Sequence, residues 1–306
     1  MNKKLLAVAM AGLMAAPVAS YADAKWYGRI HTAVTVTDAD GGDNSTDVNN
    51  RASRFGVKGS EDLGNGLKAV YRYEFGVASD IADIQDNNRL SFVGLSGSFG
   101  TLTMGRVWST MFNMGQGPLT FMQPGEGREV YGPGGGTFRI SNALSLAGGS
   151  GNIKYQIDAV LDGGNADSDG ADEVQYGIKY SANNMTLGLS RRDLSNATNS
   201  ESTQAHVSYK TGSIKMFAGY LSQDDGSADN YSATQVGAQY TTAGGVALAI
   251  EFLNSEDDDA GIDNSHVNFQ AMKKLSKTTL VHFNIGMDDV SGVDTNKYTV
   301  GLRKDF

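Results

Sequence analysis

Five arginines share one sequence setting. Arg29 opposes Trp26 and Ile30 in parity, Arg54 opposes Phe55 and Val57, Arg72 opposes Tyr71 and Tyr73, and Arg89 opposes Leu90 and Phe92, while Arg139 lies between Phe138 and Ile140. On an extended chain successive side chains point to opposite faces, so each guanidinium is set on the face away from its apolar neighbours. A row of permanently charged, planar groups on one face attracts and steers ions. It is not a catalytic set. The four histidines, His31, His206, His266 and His282, fall on separate extended segments, with no nucleophile elbow, HExxH or other catalytic spacing nearby. Cysteine is absent, so there is no disulfide framework, thiolate nucleophile or thiolate metal site.

The elements that must position these arginines are strands. From Lys25 onward the hydrophobic period is two rather than 3.6. In residues 25–37, Trp26, Ile30, Val34 and Val36 share one face and Lys25, Arg29, His31 and Thr35 the other. Residues 67–77, 153–161, 173–180, 185–191, 213–221, 231–240, 246–253, 267–272, 279–287 and 297–306 repeat the scheme, and no amphipathic helix of any length is found after the first 24 residues. A soluble β-sandwich or β-solenoid also alternates, but sandwich strands run about 5 or 6 residues. These run nearer ten, with Tyr and Trp toward their ends, as in transmembrane barrels.

Short turn sequences such as Asn183-Asn184 and Thr211-Gly212 alternate with longer polar loops, residues 38–50, 162–172, 195–201, 223–230, 254–264 and 288–295. Eight long and seven short connections give sixteen antiparallel strands with every long loop at one end. Residues 107–137, after the fifth strand, are far too long for an ordinary connection. With Trp108, Met111, Phe112, Met114, Leu119, Phe121, Met122 and Tyr131 they carry too much apolar surface to be left in water. They are expected to fold inward against the wall and narrow a channel.

Residues 1–24 read as an export signal: Lys3 and Lys4, an apolar run from Leu5 to Ala19, and Ala22-Asp23-Ala24 as a small-x-small cleavage site, with cleavage after Ala22 as the alternative. Its removal takes away Lys3, Lys4 and Asp23, leaving 23 basic and 33 acidic residues and a net charge of −10 in residues 25–306. That charge disfavours nucleic acid as a partner. No later apolar run approaches the length of a spanning helix, so membrane crossing requires a closed barrel. The acidic loops (Asp38, Asp40, Asp43, Asp47; Asp224, Asp225, Asp229; Glu256, Asp257, Asp258, Asp259) lack EF-hand spacing and read as solvated, weakly cation-attracting loops, not as a dedicated metal site. No cofactor is expected. A lipase working on the lipid face is disfavoured because strand parity turns all four histidines inward.

Across residues 25–306 the chain resembles the trimeric general-diffusion porins of Gram-negative outer membranes. The resemblance rests on Trp26-Tyr27-Gly28-Arg29, on residues 51–66 (RASRFGVKGSEDLGNG), on Arg89-Leu-Ser-Phe-Val-Gly94-Leu, on Leu102-Thr-Met-Gly105-Arg106 and on the terminal Phe306. It implies an all-β, sixteen-stranded transmembrane barrel whose third external loop folds into the lumen. It implies passive diffusion of small hydrophilic solutes and ions, with a substrate-selective sugar or nutrient channel as the alternative. It places Arg29, Arg54, Arg89 and Arg139 in the basic wall of the constriction, which the parity of Arg72 extends, and sets loop carboxylates, here Glu126 and Glu129, opposite them. The loop tip reads Pro124-Gly125-Glu126-Gly127-Arg128-Glu129, where enterobacterial members carry Pro-Glu-Phe-Gly-Gly. The resemblance also implies a homotrimer and recognition of Phe306 by the outer-membrane assembly machinery. Arg106 shares the parity of Leu102 and Met104. Facing outward, where a charge in lipid costs about 2–4 kcal/mol at mid-membrane, it is expected in a subunit interface. Acidic mouths set against an arginine wall predict a mild cation preference at low salt.

Overall fold

A computed structural model of the chain describes residues 23–117, 122–123, 138–162, 170–194, 200–224, 230–257 and 262–306. The first hairpins comprise β1 (Lys25–Ala39), β2 (Ser45–Asn50), β3 (Arg54–Gly64), β4 (Leu67–Ala78), β5 (Asp83–Gly97) and β6 (Gly100–Trp108). After a helical segment, Met111–Gln116, follow β7 (Arg139–Ser150), β8 (Ile153–Val160), β9 (Glu173–Ala182), β10 (Met185–Leu194), β11 (Glu201–Thr211) and β12 (Ile214–Asp224). The chain ends in β13 (Asn230–Thr241), β14 (Val246–Asp257), β15 (Ile262–Lys274), β16 (Thr279–Val290) and β17 (Val293–Asp305).

These segments form one closed antiparallel sheet. β2 and β3 pair with the upper and lower parts of β1, so they are two halves of a single stave and the seventeen segments make sixteen staves, the expected number. The break falls at residues 51–53, where Ala52 takes φ 57°. There Ser53 Oγ accepts the His31 N–H at 2.9 Å and donates to the His31 carbonyl at 3.1 Å, filling the gap in the ladder. The barrel closes where β17 pairs with β1 from Arg29 opposite Asp305 to Ala39 opposite Thr295. Gly28 and Phe306 exchange two further backbone bonds, of 2.9 and 3.1 Å. A side chain at Gly28 would collide with the Phe306 ring, so the glycine makes room for the terminal aromatic.

Burial is inverted relative to a soluble protein. Gln175, Gln204, Gln235, Gln270, Glu74 and Glu251 rank among the largest fully buried side chains, whereas Trp26, Val300 and Leu302 are 68, 60 and 54 % exposed. Along β14, buried Ala249, Glu251, Leu253 and Ser255 alternate with exposed Ile250 and Phe252. An apolar outer face and a polar, hydrogen-bonded interior suit a wall with lipid on one side and water on the other.

Three expectations are corrected. Within residues 38–50, expected as loop, Ser45–Asn50 is strand: its backbone pairs with β1 although Val48 is its one apolar residue. Residues 288–295 form no long loop: β16 and β17 pair as far as Val290 opposite Val293, and Ser291 and Gly292, at φ 56° and 77°, make a two-residue turn. The third is Met111–Gln116, one turn of π-helix where no helix was expected.

Candidate functional site

Arg72 and Glu74 lie two residues apart on β4 and so on one face of it. Glu74 is fully buried and collects cations from three staves. Its Oε2 accepts from Arg72 Nη2 at 2.6 Å and from Tyr27 Oη at 2.8 Å; its Oε1 accepts from Arg89 Nε at 2.5 Å and lies 3.8 Å from Arg54 Nη1. Arg72 Nε also donates to Tyr27 Oη at 2.7 Å, and the Arg72 and Lys58 cations lie 5.1 and 5.2 Å from the Tyr27 ring centroid. A carboxylate is stable in such a place only because several charge-assisted bonds replace its water.

A second carboxylate completes the group at the barrel seam. Asp305 pairs with Arg29 Nε at 2.7 Å and with Arg303 Nη2 at 2.7 Å, and Arg303 Nη1 reaches Gln123 Oε1 at 3.3 Å. Arg29, Arg54, Arg89 and Arg303 are close enough to act on one another electrostatically. Arg29 and Arg54 border a recess of about 300 Å³ whose lining also includes Tyr27, Lys58, Arg72, Glu74 and Asp305.

Four of the five expected arginines are therefore brought together, and one by a route that sequence parity misses. Leu90 is opposite Glu74 and fully buried, and Phe92 is opposite Arg72, so these apolar residues share the arginine face instead of opposing it. Arg89 reaches Glu74 because β4 and β5 slip register at Glu74 and Phe75, where a bulge re-aims the side chain. Arg139 is engaged differently: its guanidinium lies 5.2 Å from the centroid of the Trp108 ring, which stacks on Phe112 at 4.5 Å. Arg106 falls in a second bulge, between Gly105 and Val107, and its Nη1 donates to Ser141 Oγ at 2.5 Å. Glu126 and Glu129 lie outside the described residues. Sequence reasoning missed Glu74, Asp305 and Arg303. The signal was present, since Glu74 shares the parity of Arg72, and Arg303 and Asp305 oppose Leu302 and Phe306.

The helical segment between β6 and β7 is bonded to β8 and β9. Buried Asp158 Oδ2 accepts from Thr110 N at 2.6 Å and Thr110 Oγ1 at 2.8 Å; Gln175 Oε1 accepts from Met111 N at 3.0 Å. Asn113 Nδ2 donates to Gln156 Oε1 at 2.8 Å, and Lys179 Nζ donates to the Asn113 carbonyl at 2.9 Å. Met111 packs with Phe217, Leu221, Ala233 and Leu253. A Cβ on Gly177 would lie 2.8 Å from Met114 Cβ and 2.9 Å from Thr110 Cγ2, so this glycine is required for the close approach. Farther along, Gln123 N donates to Gln270 Oε1 on β15 at 2.8 Å.

A sixteen-stave closed barrel with an apolar exterior and a charged, hydrogen-bonded interior defines a membrane channel of the outer-membrane type. The family profile described as Gram-negative porin matches residues 6–293, and the chain belongs to that family. Major outer membrane protein P.IB of Neisseria meningitidis serogroup B is 28% identical over 351 residues, covering 100% of both chains. Among solved structures, the anion-selective porin from Comamonas acidovorans has a TM-score of 0.78 at 20% identity, with 94% of this chain and 100% of that one covered. OmpT of Vibrio cholerae, solved in a trimer form, has a TM-score of 0.69 at 14% identity, with coverages of 93% and 99%. The chain is an outer-membrane channel for passive diffusion of small hydrophilic solutes and ions.

Proposed function

We propose that solutes pass a constriction whose basic side is the wall cluster of Arg29, Arg54, Arg72 and Arg89, joined by Arg303. The observation that carries the reading is the convergence of these five guanidiniums on two carboxylates, Glu74 and Asp305, with Arg29, Arg54 and Arg72 lining one recess beside them. The segment after β6 folds into the barrel in this reading; the bonds of Thr110, Met111 and Asn113 to β8 and β9, and of Gln123 to Gln270 and Arg303, support it. Arg139 then belongs to the same narrow zone through the aromatic stack at the root of the segment, and Glu126 and Glu129 supply its acidic side. Solute ions of opposite sign follow opposite walls, and an uncharged lipophilic solute must displace field-oriented water.

Acidic external loops and an arginine wall act over different ranges. The Debye length falls from about 30 Å at 0.01 M salt to about 3 Å at 1 M. Zero-current potentials under a fixed salt ratio should therefore show a mild cation preference at the lowest salt that drifts toward anions as salt rises and the mouth charges are screened. Anion preference at every salt contradicts a role for the acidic mouths.

The family relationship and the placement of Arg106 on an exposed face support a homotrimer embedded in outer-membrane lipid and lipopolysaccharide. Unboiled protein on a denaturing gel should migrate near three times the 32.4 kDa chain mass, less the leader. A monomer band after gentle detergent extraction refutes that assembly. Residues 1–24 act as the removed leader in this account, and Phe306 as the signal read by the assembly machinery. Its backbone bonds to Gly28 support a role in closing the barrel. Deleting Phe306 is expected to lower assembled protein in the outer membrane fraction severalfold, and undiminished assembly excludes the role.

A further inference from the structure

We propose that Arg29 and Arg54 form a subsite that holds a doubly charged phosphate, free or carried by a small solute, in the recess beside them. The proposal rests on the reading that these arginines face the ion path, and adds that one class of anion is retained there. β1 and β3 pair with Arg29 directly opposite Arg54. Like charges opposite each other on one face of a sheet repel, and the wall uses neither guanidinium fully. Arg29 engages Asp305 through Nε, at 2.7 Å. Arg54 Nη1 stands 3.8 Å from Glu74 Oε1, too far for a hydrogen bond. Nη1 and Nη2 of Arg29, and Nε and Nη2 of Arg54, have no hydrogen-bond partner among the described residues, and none of them is sealed from solvent.

Charge and shape select the ligand. At about 300 Å³ the recess is at the lower end of the range of small-molecule sites, about 300–1,000 Å³. Its lining carries four cations, Arg29, Arg54, Lys58 and Arg72, against two carboxylates, Glu74 and Asp305, an excess of two positive charges. The oxygens of Glu74 are already taken by Arg72, Arg89 and Tyr27, so its charge is compensated within the wall. A phosphate group at neutral pH carries nearly two negative charges and three strong acceptor oxygens. It cancels the excess and bridges the two guanidiniums, whose forked N–H groups match an oxyanion edge. Chloride cancels half of that charge and has no oxygens to match the fork.

The far side of the recess suits the rest of a solute. Gly56 lies between Arg54 and Lys58 on one face of β3, and a Cβ there would be 2.8 Å from the Tyr27 hydroxyl, so Tyr27 packs over it. Lys58 stands 5.2 Å from the Tyr27 ring centroid and forms no ion pair among the described residues. A free cation beside an aromatic ring, with the phosphate anchored on Arg29 and Arg54, fits a compact polar organic group.

The test is the current through wild-type channels in a planar bilayer in about 0.1 M potassium chloride, with potassium phosphate, potassium sulfate or glycerol phosphate added. The second ionisation of phosphate lies near pH 6, whereas sulfate stays doubly charged. Phosphate should therefore reduce the chloride current saturably above pH 7 and severalfold less well at about pH 5, while sulfate acts alike at both. Glycerol phosphate acting as strongly as phosphate assigns the site to phosphorylated solutes; phosphate acting alone assigns it to the free ion. In Arg54→Gln the half-blocking concentration should rise about tenfold, the worth of one charge-assisted hydrogen bond. Arg54→Lys, which keeps the charge and loses the fork, should lie between, and Lys210→Gln, exposed on β11, should match wild type. Because a variant can fail to fold, the wild-type record is decisive in itself: no saturable reduction by phosphate, or one equal at both pH values, overturns the subsite. If Arg54→Gln moves the zero-current potential while phosphate leaves the wild-type current unreduced, the arginines face the ion path and the subsite alone is refuted. If neither responds, the constriction reading fails with it.

Discussion

Replacing Glu74 by alanine should both weaken the barrel and turn the channel toward anions. The side chain is fully buried, and it is the shared counterion of Arg54, Arg72 and Arg89 and the acceptor for Tyr27. Removing one member of a buried charged group leaves the others uncompensated, at a cost of about 3–5 kcal/mol. The temperature at which the assembled protein loses its folded form on a gel should fall accordingly. The electrical effect has a computable sign. A unit charge about 7 Å from an ion path is worth about 0.6 kcal/mol at the dielectric of water, and removing a negative one acts oppositely on the two ion signs, so the anion-to-cation ratio should rise severalfold. Glu74→Gln keeps an acceptor for Tyr27 and loses only the charge. It should match the alanine variant in selectivity and lie between it and wild type in stability. If the zero-current potential of both variants equals that of wild type, the cluster does not face the ion path.

The second large effect is expected at Asp158. Its carboxylate satisfies the backbone N–H and hydroxyl of Thr110 at the start of the helical segment, and Gln156 Nε2 donates to its Oδ1 at 2.9 Å. In Asp158→Ala the buried Thr110 N–H loses its acceptor, which costs about 1–3 kcal/mol. The loss falls on the segment proposed to narrow the pore, so the barrel should assemble while single-channel records become noisier, with altered mean conductance. Asp158→Asn retains an oxygen acceptor and should be close to wild type. Quiet records at the wild-type level from the alanine variant show that the segment is held by its apolar contacts with Phe217 and Leu221 instead.

The parts of this architecture legible in the sequence are those governed by period two. Regular strands transmit parity faithfully, so Arg29, Arg54 and Arg72 could be assigned to one face from their neighbours. The expectation for Arg89 reached the right partner group by a wrong premise, because a register slip is produced by backbone pairing between β4 and β5 and leaves no trace in residue types. Residues 45–50 and 288–295 read as loops because their few apolar residues, Val48 in the first and Val290 and Val293 in the second, are too sparse among polar ones to show the alternation of a strand. The turn at Met111–Gln116 is set by Asp158, Gln175 and Gln156, far along the chain, and not by helix propensity; its Gly115 argues against a helix. Glu74 escapes sequence reasoning for a different reason: loop carboxylates are the expected counterions of an arginine wall, whereas this one lies on the wall among the arginines.

Single-channel conductance in a planar bilayer, followed from low to high salt with and without added oligosaccharides, tests most directly whether this chain is a water-filled diffusion pore. The account predicts conductance that rises in proportion to bulk salt, with no current block by any sugar added. Conductance that saturates with salt, or block by one sugar that grows with its concentration, would contradict it and make the protein a substrate-selective channel.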